Sequence, residues 1–247
     1  MLIVANWKAY VEELAKAKKL FALAKRLASA AKVRIVLAPP APLLGALAAR
    51  NRSPIAFAAQ DVSRTTGGAE TGEITAQAYA AAGATYAIIG HSERRSAGDT
   101  DPIVAEKLAH ALAHGLIPIL CVGETEHDGE GRYLALVREE LTAALSPLSP
   151  KERTQVIIAY EPLWAIGKTA DAAIGLNGLT EMILYIRKVL AELLPGKSAA
   201  RAHVLYGGSV EPDNIRALAV SSSVDGFLIG HASVDLHLFS LLVKQLP

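Results

Sequence analysis

The chain is short of several things, and each shortage narrows what it can be. A single cysteine, Cys121, in 247 residues leaves no intrachain disulfide and no multi-cysteine metal site. It suits a reducing compartment such as the cytoplasm. Net charge is scarce as well: 25 Lys and Arg against 24 Asp and Glu give +1. The two signs are interleaved, which gives no support for a nucleic-acid surface or a polybasic membrane patch. Long apolar runs are missing too. Tyr86 to Ile89 and Ile117 to Val122 are of strand length, far short of a membrane span. The opening MLIVANWK has no basic segment ahead of its apolar residues and does not read as a signal peptide. Nor does a Pro/Gly/Ser-rich linker split the chain. Ser146-Pro147-Leu148-Ser149-Pro150 reads as a turn between a helix and the next strand.

What the chain has is apolar residue in quantity, 51% hydrophobic against 20% charged, enough for a large core and too much for disorder. Strand-like apolar runs alternate with helical patterns eight times. The strand candidates are Leu2 to Lys8, Val33 to Pro39, Pro54 to Asp61, Tyr86 to His91, Ile117 to Glu124, Gln155 to Glu161, Ala202 to Gly207 and Gly226 to Gly230. Most are continuously apolar, as expected of parallel strands covered on both faces. Between them lie amphipathic stretches such as Glu12 to Ala30 and Leu179 to Leu194, each with one apolar stripe at three- and four-residue steps. Asp213-Asn214 and Asp235 are candidate helix starts. Eight βα units spanning residues 1–247 without interruption predict an α/β protein built as a single closed (β/α)8 barrel. The competing architecture, an open doubly wound sheet, favours a glycine-rich turn after the first strand, and NWKAY has none.

A parallel barrel carries its active site at the C-terminal ends of its strands. The polar residues expected there are Asn6 and Lys8, placed on one face by strand alternation, then His91-Ser92-Glu93 after strand four and Glu161 after strand six. Glycine-bearing turns follow strands seven and eight, Gly207-Gly208-Ser209 and Gly230-His231. Such turns suit a phosphate held by backbone N–H groups. A lysine, a histidine and a glutamate from three strands therefore converge beside a phosphate cradle. Each has a plainer reading when taken alone: a snorkelling lysine, a structural histidine, a strand-end acid in an ion pair. Cys121 sits in an apolar strand with no adjacent base and reads as a small core residue.

The motifs NWK, GHSERR, CVGE, AYEPLWAIG, YGGSV and DGFLIGHAS, in this order over essentially the whole chain, resemble the triosephosphate isomerase family. That resemblance implies a TIM barrel that interconverts dihydroxyacetone phosphate and glyceraldehyde 3-phosphate, with no cofactor and no metal. It gives Glu161 as the base, His91 as a neutral electrophile and Lys8 as the neutralising cation. Asn6 is similar to the residue that orients substrate, Glu93 to the partner of the lysine, and Ser92 to the contact of the resting base. Gly167, Ser209, Gly230 and His231 fall at the phosphate-binding positions, and Tyr206 at the residue that bonds a closed lid. Arg94 and Arg95 read as loop ties.

The chain also departs from the family pattern. The string WAIGKTADAAIG, from Lys168 to Gly175, differs from the usual lid, so a mobile lid with an altered tip is expected over 165–175. His231 replaces a glycine, which costs on the order of 1 kcal/mol only if φ must be positive. The resemblance further implies a homodimer in which the loop around Thr71 inserts near the partner's active site. Glu70, Ala9, Tyr10, Ser96 and Ala97 all differ from the family at those surfaces, so a monomer or a rebuilt interface stays open. Two other functions stay open as well: a different phosphate-binding barrel, such as a sugar-phosphate epimerase, and a barrel that binds a phosphorylated ligand without turnover.

Overall fold

The computed structural model describes residues 1–31, 33–49, 51–165 and 174–247. Eight parallel strands close into a barrel in sequence order. They are β1 Leu2–Asn6, β2 Arg34–Ala38, β3 Ala56–Ala59, β4 Tyr86–Ile89, β5 Ile117–Val122, β6 Ile157–Tyr160, β7 Val204–Tyr206 and β8 Gly226–Ile229. Closure comes from β1 pairing with β8, with Val4 opposite Leu228. The helices described are α1 Leu14–Ala31, α2 Ala41–Ala48, α3 Ala76–Ala81, α4 Ser92–Ser96, α5 Asp101–Ala113, α6 Arg132–Leu145, α7 Pro150–Arg153, α8 Leu176–Leu193, α9 Ile215–Ser221 and α10 Leu236–Gln245.

Strand periodicity explains why both faces of each strand are greasy. Val4, Val36, Ala58, Ile88, Ile119, Ala159, Leu205 and Leu228 fill the barrel interior. Their neighbours Ala5, Leu37, Phe57, Ile89, Leu120, Ile158, Val204 and Phe227 face outward into the helical layer. Alternation thus sends successive residues into two separate cores, and neither tolerates charge. Burying one such side chain is worth about 1.5–3 kcal/mol.

Every strand stops short of its apolar run at the C-terminal end, while β1, β4, β5 and β8 begin where the runs begin. β1 stops at Asn6, not Lys8, because the chain turns there: Lys8 has φ 45°, left-handed backbone that no strand contains. Strand alternation therefore does not place Lys8, and the turn does. β3 covers four residues of the expected eight, since Gln60 leaves the ladder to bond the Lys8 turn and Asp61 to bond Lys107 of α5. α1 begins at Leu14 rather than Glu12, and α8 at Leu176 rather than Leu179. The turn expected at 146–150 leads into the short helix α7. Ser149 and Glu152 exchange hydrogen bonds there as a capping box. Asp235 caps α10 by accepting from the amides of His237 and Leu238. Asn214 precedes α9 but spends its Oδ1 on the Glu211 amide instead.

Candidate active site

The C-terminal mouth of the barrel holds a cavity of about 420 Å³ whose lining includes Asn6, Lys8, His91, Glu161, Ser209 and Gly230. Its floor is built from strand ends.

Lys8 is positioned by a strained turn. Its left-handed backbone costs about 1–2 kcal/mol in a non-glycine residue. Its amide donates to Asn6 Oδ1 at 3.1 Å, and Gln60 Nε2 donates to its carbonyl at 2.9 Å. The same Gln60 nitrogen also donates to the Ala38 carbonyl at 2.9 Å, tying the turn to β2. The Lys8 ammonium sits 2.7 Å from Glu93 Oε1. Burial pushes the Glu93 carboxyl up, but the hydrogen bond and charge of Lys8 outweigh it and hold it below its ordinary range.

His91 follows β4 and caps the short helix α4. Its Nδ1 accepts from the Glu93 amide at 3.2 Å. A nitrogen that accepts an amide N–H carries no proton of its own. The proton of the neutral ring therefore resides on Nε2, which lies 3.4 Å from Glu161 Oε1. His91 is buried, so that N–H points into the pocket rather than to bulk solvent.

Glu161 follows β6 and is 3% exposed. Its Oε2 accepts from the Ser92 amide at 3.3 Å, so Ser92 reaches it through the main chain. Both contacts are long, and the carboxylate is loosely held. Gly207 makes the position available: a Cβ there would lie 2.9 Å from Glu161 Cγ and 3.3 Å from Oε1. On the far side of the Glu161 backbone stands Gly123, where a Cβ would lie 1.9 Å from the Glu161 carbonyl oxygen. At Gly123 only a residue without a side chain fits, because the obstacle is backbone, and at Gly207 any Cβ displaces the Glu161 side chain.

Cys121 is buried on β5. Its thiol is pushed up first by burial and then by the charge of Glu161. The expectation that no base lies beside it is corrected, since Glu161 does. That carboxylate disfavours the thiolate, so the thiol stays inert.

The turns after β7 and β8 form the opposite wall. The Ser209 hydroxyl donates to the Ala165 carbonyl at 2.9 Å, and Asn214 Nδ2 donates to the Ser209 carbonyl. Gly230 passes Lys8 closely, with a Cβ position 3.5 Å from Lys8 Cε. His231 opens a four-residue 3-10 helix. Its φ is not among the positive values of the described non-glycine residues, so replacing glycine there carries no backbone strain. Gly167, and the altered lid from 166 to 173, lie outside the described residues. The Tyr206 hydroxyl is buried without a sound hydrogen bond among the described residues.

Around this centre, Arg95 Nε donates to the Gly90 carbonyl at 3.0 Å and Nη1 to Asp101 at 2.6 Å. Arg94 reaches Asp61 at 2.9 Å. Both arginines tie loops together. Three groups that the sequence had placed at strand ends or at the dimer surface had been given no role in the site. Gln60 fixes the Lys8 turn, and Glu124 Oε1 accepts from both the Tyr160 hydroxyl at 2.8 Å and Trp164 Nε1 at 2.7 Å. Tyr10 lines the cavity rim. A polar residue closing an apolar run was the available signal for Gln60 and Glu124. Among the described residues no group of three or more His, Cys, Asp and Glu is placed to hold a metal. No described helix is long and apolar enough to cross a membrane.

Comparison with known proteins agrees with this geometry. A family model described as triosephosphate isomerase matches residues 1–246. The triosephosphate isomerase of Symbiobacterium thermophilum is 39% identical over 95% of this chain and 92% of its own. That of Moorella thermoacetica is 39% identical over 98% and 97%, and that of Thermus thermophilus 38% over 99% and 98%.

Proposed function

The chain belongs to the triosephosphate isomerase family, and we propose that it interconverts dihydroxyacetone phosphate and D-glyceraldehyde 3-phosphate with Glu161, His91 and Lys8 in the working roles. The observation that carries this reading is the His91–Glu161 pair, with Nε2 at 3.4 Å from Oε1 and Nδ1 committed as an acceptor. Isomerisation needs one group that takes a proton from carbon and another that donates to oxygen. A carboxylate facing an imidazole N–H supplies both.

In this mechanism Glu161 leaves its long contacts and removes a proton from C1 of dihydroxyacetone phosphate. The electron pair forms a C1–C2 double bond, and the C2 carbonyl oxygen becomes the enediolate oxygen. His91 Nε2–H stabilises that oxygen, and the nearby Lys8 ammonium offsets its charge. The proton returns from Glu161 to C2, the C1 hydroxyl proton passes to the C2 oxygen with the His91 imidazole between the two oxygens, the C1–C2 electron pair forms the C2–H bond, and C1 becomes the aldehyde carbon. Asn6 orients the substrate, Glu93 holds Lys8, and the Ser92 amide receives Glu161 between turnovers. The phosphate rests on the peptide N–H groups of Ser209, Gly230 and His231. Gly167 is assigned to the same phosphate by the family pattern alone.

A coupled assay of isomerisation on the wild type and Glu161→Asp tests this. The wild type should turn over, and the shortened carboxylate should lower kcat by about 100-fold or more. An inactive wild type defeats the function, and an unchanged variant defeats the role of Glu161.

We also read residues 1–247 as one catalytic domain of a cytoplasmic, glycolytic homodimer. A second cavity of about 380 Å³ lies behind the site, lined by Asn6, Lys8, Gln60, Glu93 and Arg94 among others. The loop from Arg64 to Ile74 is exposed save for Thr65, and its three glycines adopt positive φ. Such a loop, carrying Thr71, suits that cavity on a partner copy. Light scattering at micromolar concentration should give twice the 26.0 kDa of one chain, and a single-chain mass would overturn the dimer.

A further inference from the structure

Tyr10 and His231 come from opposite ends of the chain, yet their rings meet edge to face at 5.8 Å with an interplanar angle of 86°. Both line the substrate cavity. Each stands on a firm base. The Tyr10 amide donates to the Trp7 carbonyl at 3.1 Å, and Trp7 is fully buried. On the other side, the Gly230 carbonyl accepts from both the amide and the hydroxyl of Ser233, at 2.9 and 2.6 Å. The two loops bring the rings together where β1 and β8 close the barrel, above Lys8 and Gly230. A backbone phosphate cradle has no reason to carry an exposed imidazole on its edge, and an aromatic ring on the neighbouring loop limits where that imidazole can turn.

We propose that the His231 imidazole, held by Tyr10, is an additional anion contact at the phosphate end of the cavity, strengthening phosphate binding as it takes up a proton. This rests on the placement of phosphate at the Ser209, Gly230 and His231 turns. Imidazole is the side chain whose charge ordinarily changes between pH 5 and 8. Among the described residues the groups facing it are few. Asp235, at the start of α10, is held below its ordinary range first by the Leu238 amide, with the charge of His231 a smaller contribution. His237 lies beyond Asp235. From the β1 loop come Tyr10 and the Lys8 ammonium, the latter opposing a second cation but itself paired with Glu93. Glu211, from the loop after β7, lines the same cavity, and His91 and Glu161 lie on its floor. A bound dianion would add to the pull of Asp235. Because the ring is exposed, solvent weakens the contact and the effect is modest.

The test uses inorganic sulfate as a competitive inhibitor, because sulfate keeps its double charge throughout the range while a substrate phosphate does not. With the full-length enzyme, the inhibition constant should rise about three- to five-fold between about pH 5.5 and pH 8.5. His231→Gln should make it flat at the weak, high-pH value. His231→Lys should make it flat at the tight, low-pH value. Tyr10→Ala should keep the direction of the trend but shrink it, because the ring is then free to turn away. A flat wild type, or a trend that survives in His231→Gln, overturns the proposal. A trend undiminished in Tyr10→Ala overturns the part given to Tyr10. Sulfate that fails to compete at any pH instead overturns the placement of phosphate on these turns, and this proposal with it.

Discussion

The floor of the site and its rim are built on different terms. On the floor, His91 is 5% exposed and Glu161 3% exposed, and main-chain groups hold each of them. Lys8 sits in a left-handed turn fixed by Asn6 and Gln60. At the rim, Tyr10 is 52% exposed, and its ring is held by one edge-to-face contact with His231. The floor is over-determined, because several unrelated strands must agree before a carboxylate can face an imidazole at 3.4 Å. The rim needs only two loops to pass each other. Substitutions should therefore act steeply on the floor and shallowly at the rim.

His91→Gln should show the steepest effect. Glutamine can offer an N–H, but it has no ring nitrogen fixed by the Glu93 amide, so its donor is not aimed at the enediolate oxygen. Removing an aimed donor of this kind typically costs about 100- to 1000-fold in kcat. Steady-state kinetics should show that loss with little change in KM. A loss under ten-fold would mean that Lys8 carries the charge and that the floor is less tightly specified than its geometry suggests.

Gly207→Ala should come next, and it tests packing rather than chemistry. The added Cβ would stand 2.9 Å from Glu161 Cγ, so the carboxylate must shift. Misplacing a reacting group by about 1 Å costs on the order of 100-fold, and part of the shift can be absorbed because Glu161 is loosely bonded. A kcat loss of about 10- to 100-fold is expected, with the ordered fold retained by circular dichroism. An unchanged kcat would show slack around the base.

These residues differ in how legible they were. Glu161, His91 and Lys8 could be picked from the chain because each interrupts an apolar run, and charge at the end of a buried strand demands a reason. The barrel was legible for the same cause, since eight runs buried on both faces leave few other architectures. The strand ends were not. Apolar residues such as Val33 continue past the hydrogen-bonded ladder, and nothing in the residue type marks where pairing stops. The Lys8 turn was illegible because left-handed backbone in a lysine is held in part by Gln60, 52 residues away, and nothing in the local sequence marks it. Tyr10 was invisible as a cavity residue, because its partner His231 lies 221 positions away.

Beside the floor lies a third carboxylate that tests stability without touching substrate. Glu140 on α6 is buried, accepts from the Gly123 amide at 2.9 Å and lies 3.6 Å from Arg95. Burial pushes its carboxyl up from 4.5 to about 7, with Arg95 opposing. The folded protein thus holds a proton that the unfolded chain has already released. Between about pH 4.5 and pH 7 the native state binds more protons, and this group's contribution to stability falls as pH rises. The fall is at most about 3 kcal/mol. Glu140→Gln keeps an acceptor for Gly123 and removes the titration. Urea melts at several pH values should show a flatter stability profile in the variant over that window. Parallel profiles would mean that Arg95 keeps Glu140 charged throughout.

At the rim, Tyr10→Ala should give the smallest effect on the folded state. The residue is already about half exposed, so little apolar area is lost. The turn beneath it is kept by the Tyr10 amide and the Trp7 carbonyl, which the substitution leaves in place. What disappears is one edge-to-face contact with an exposed imidazole, and exposed positions usually change stability by about 0.5 kcal/mol or less. In a chain of this size that moves Tm by roughly 1–2 °C. A larger drop would mean that the two loops lean on this aromatic pair, making it part of barrel closure rather than a rim attachment. A small drop, joined to a weakened pH trend in sulfate inhibition, would separate the pair's effect on ligand from any effect on the fold. The difference between floor and rim would then be one of purpose: rigidity where a proton moves, and adjustable charge where the phosphate enters.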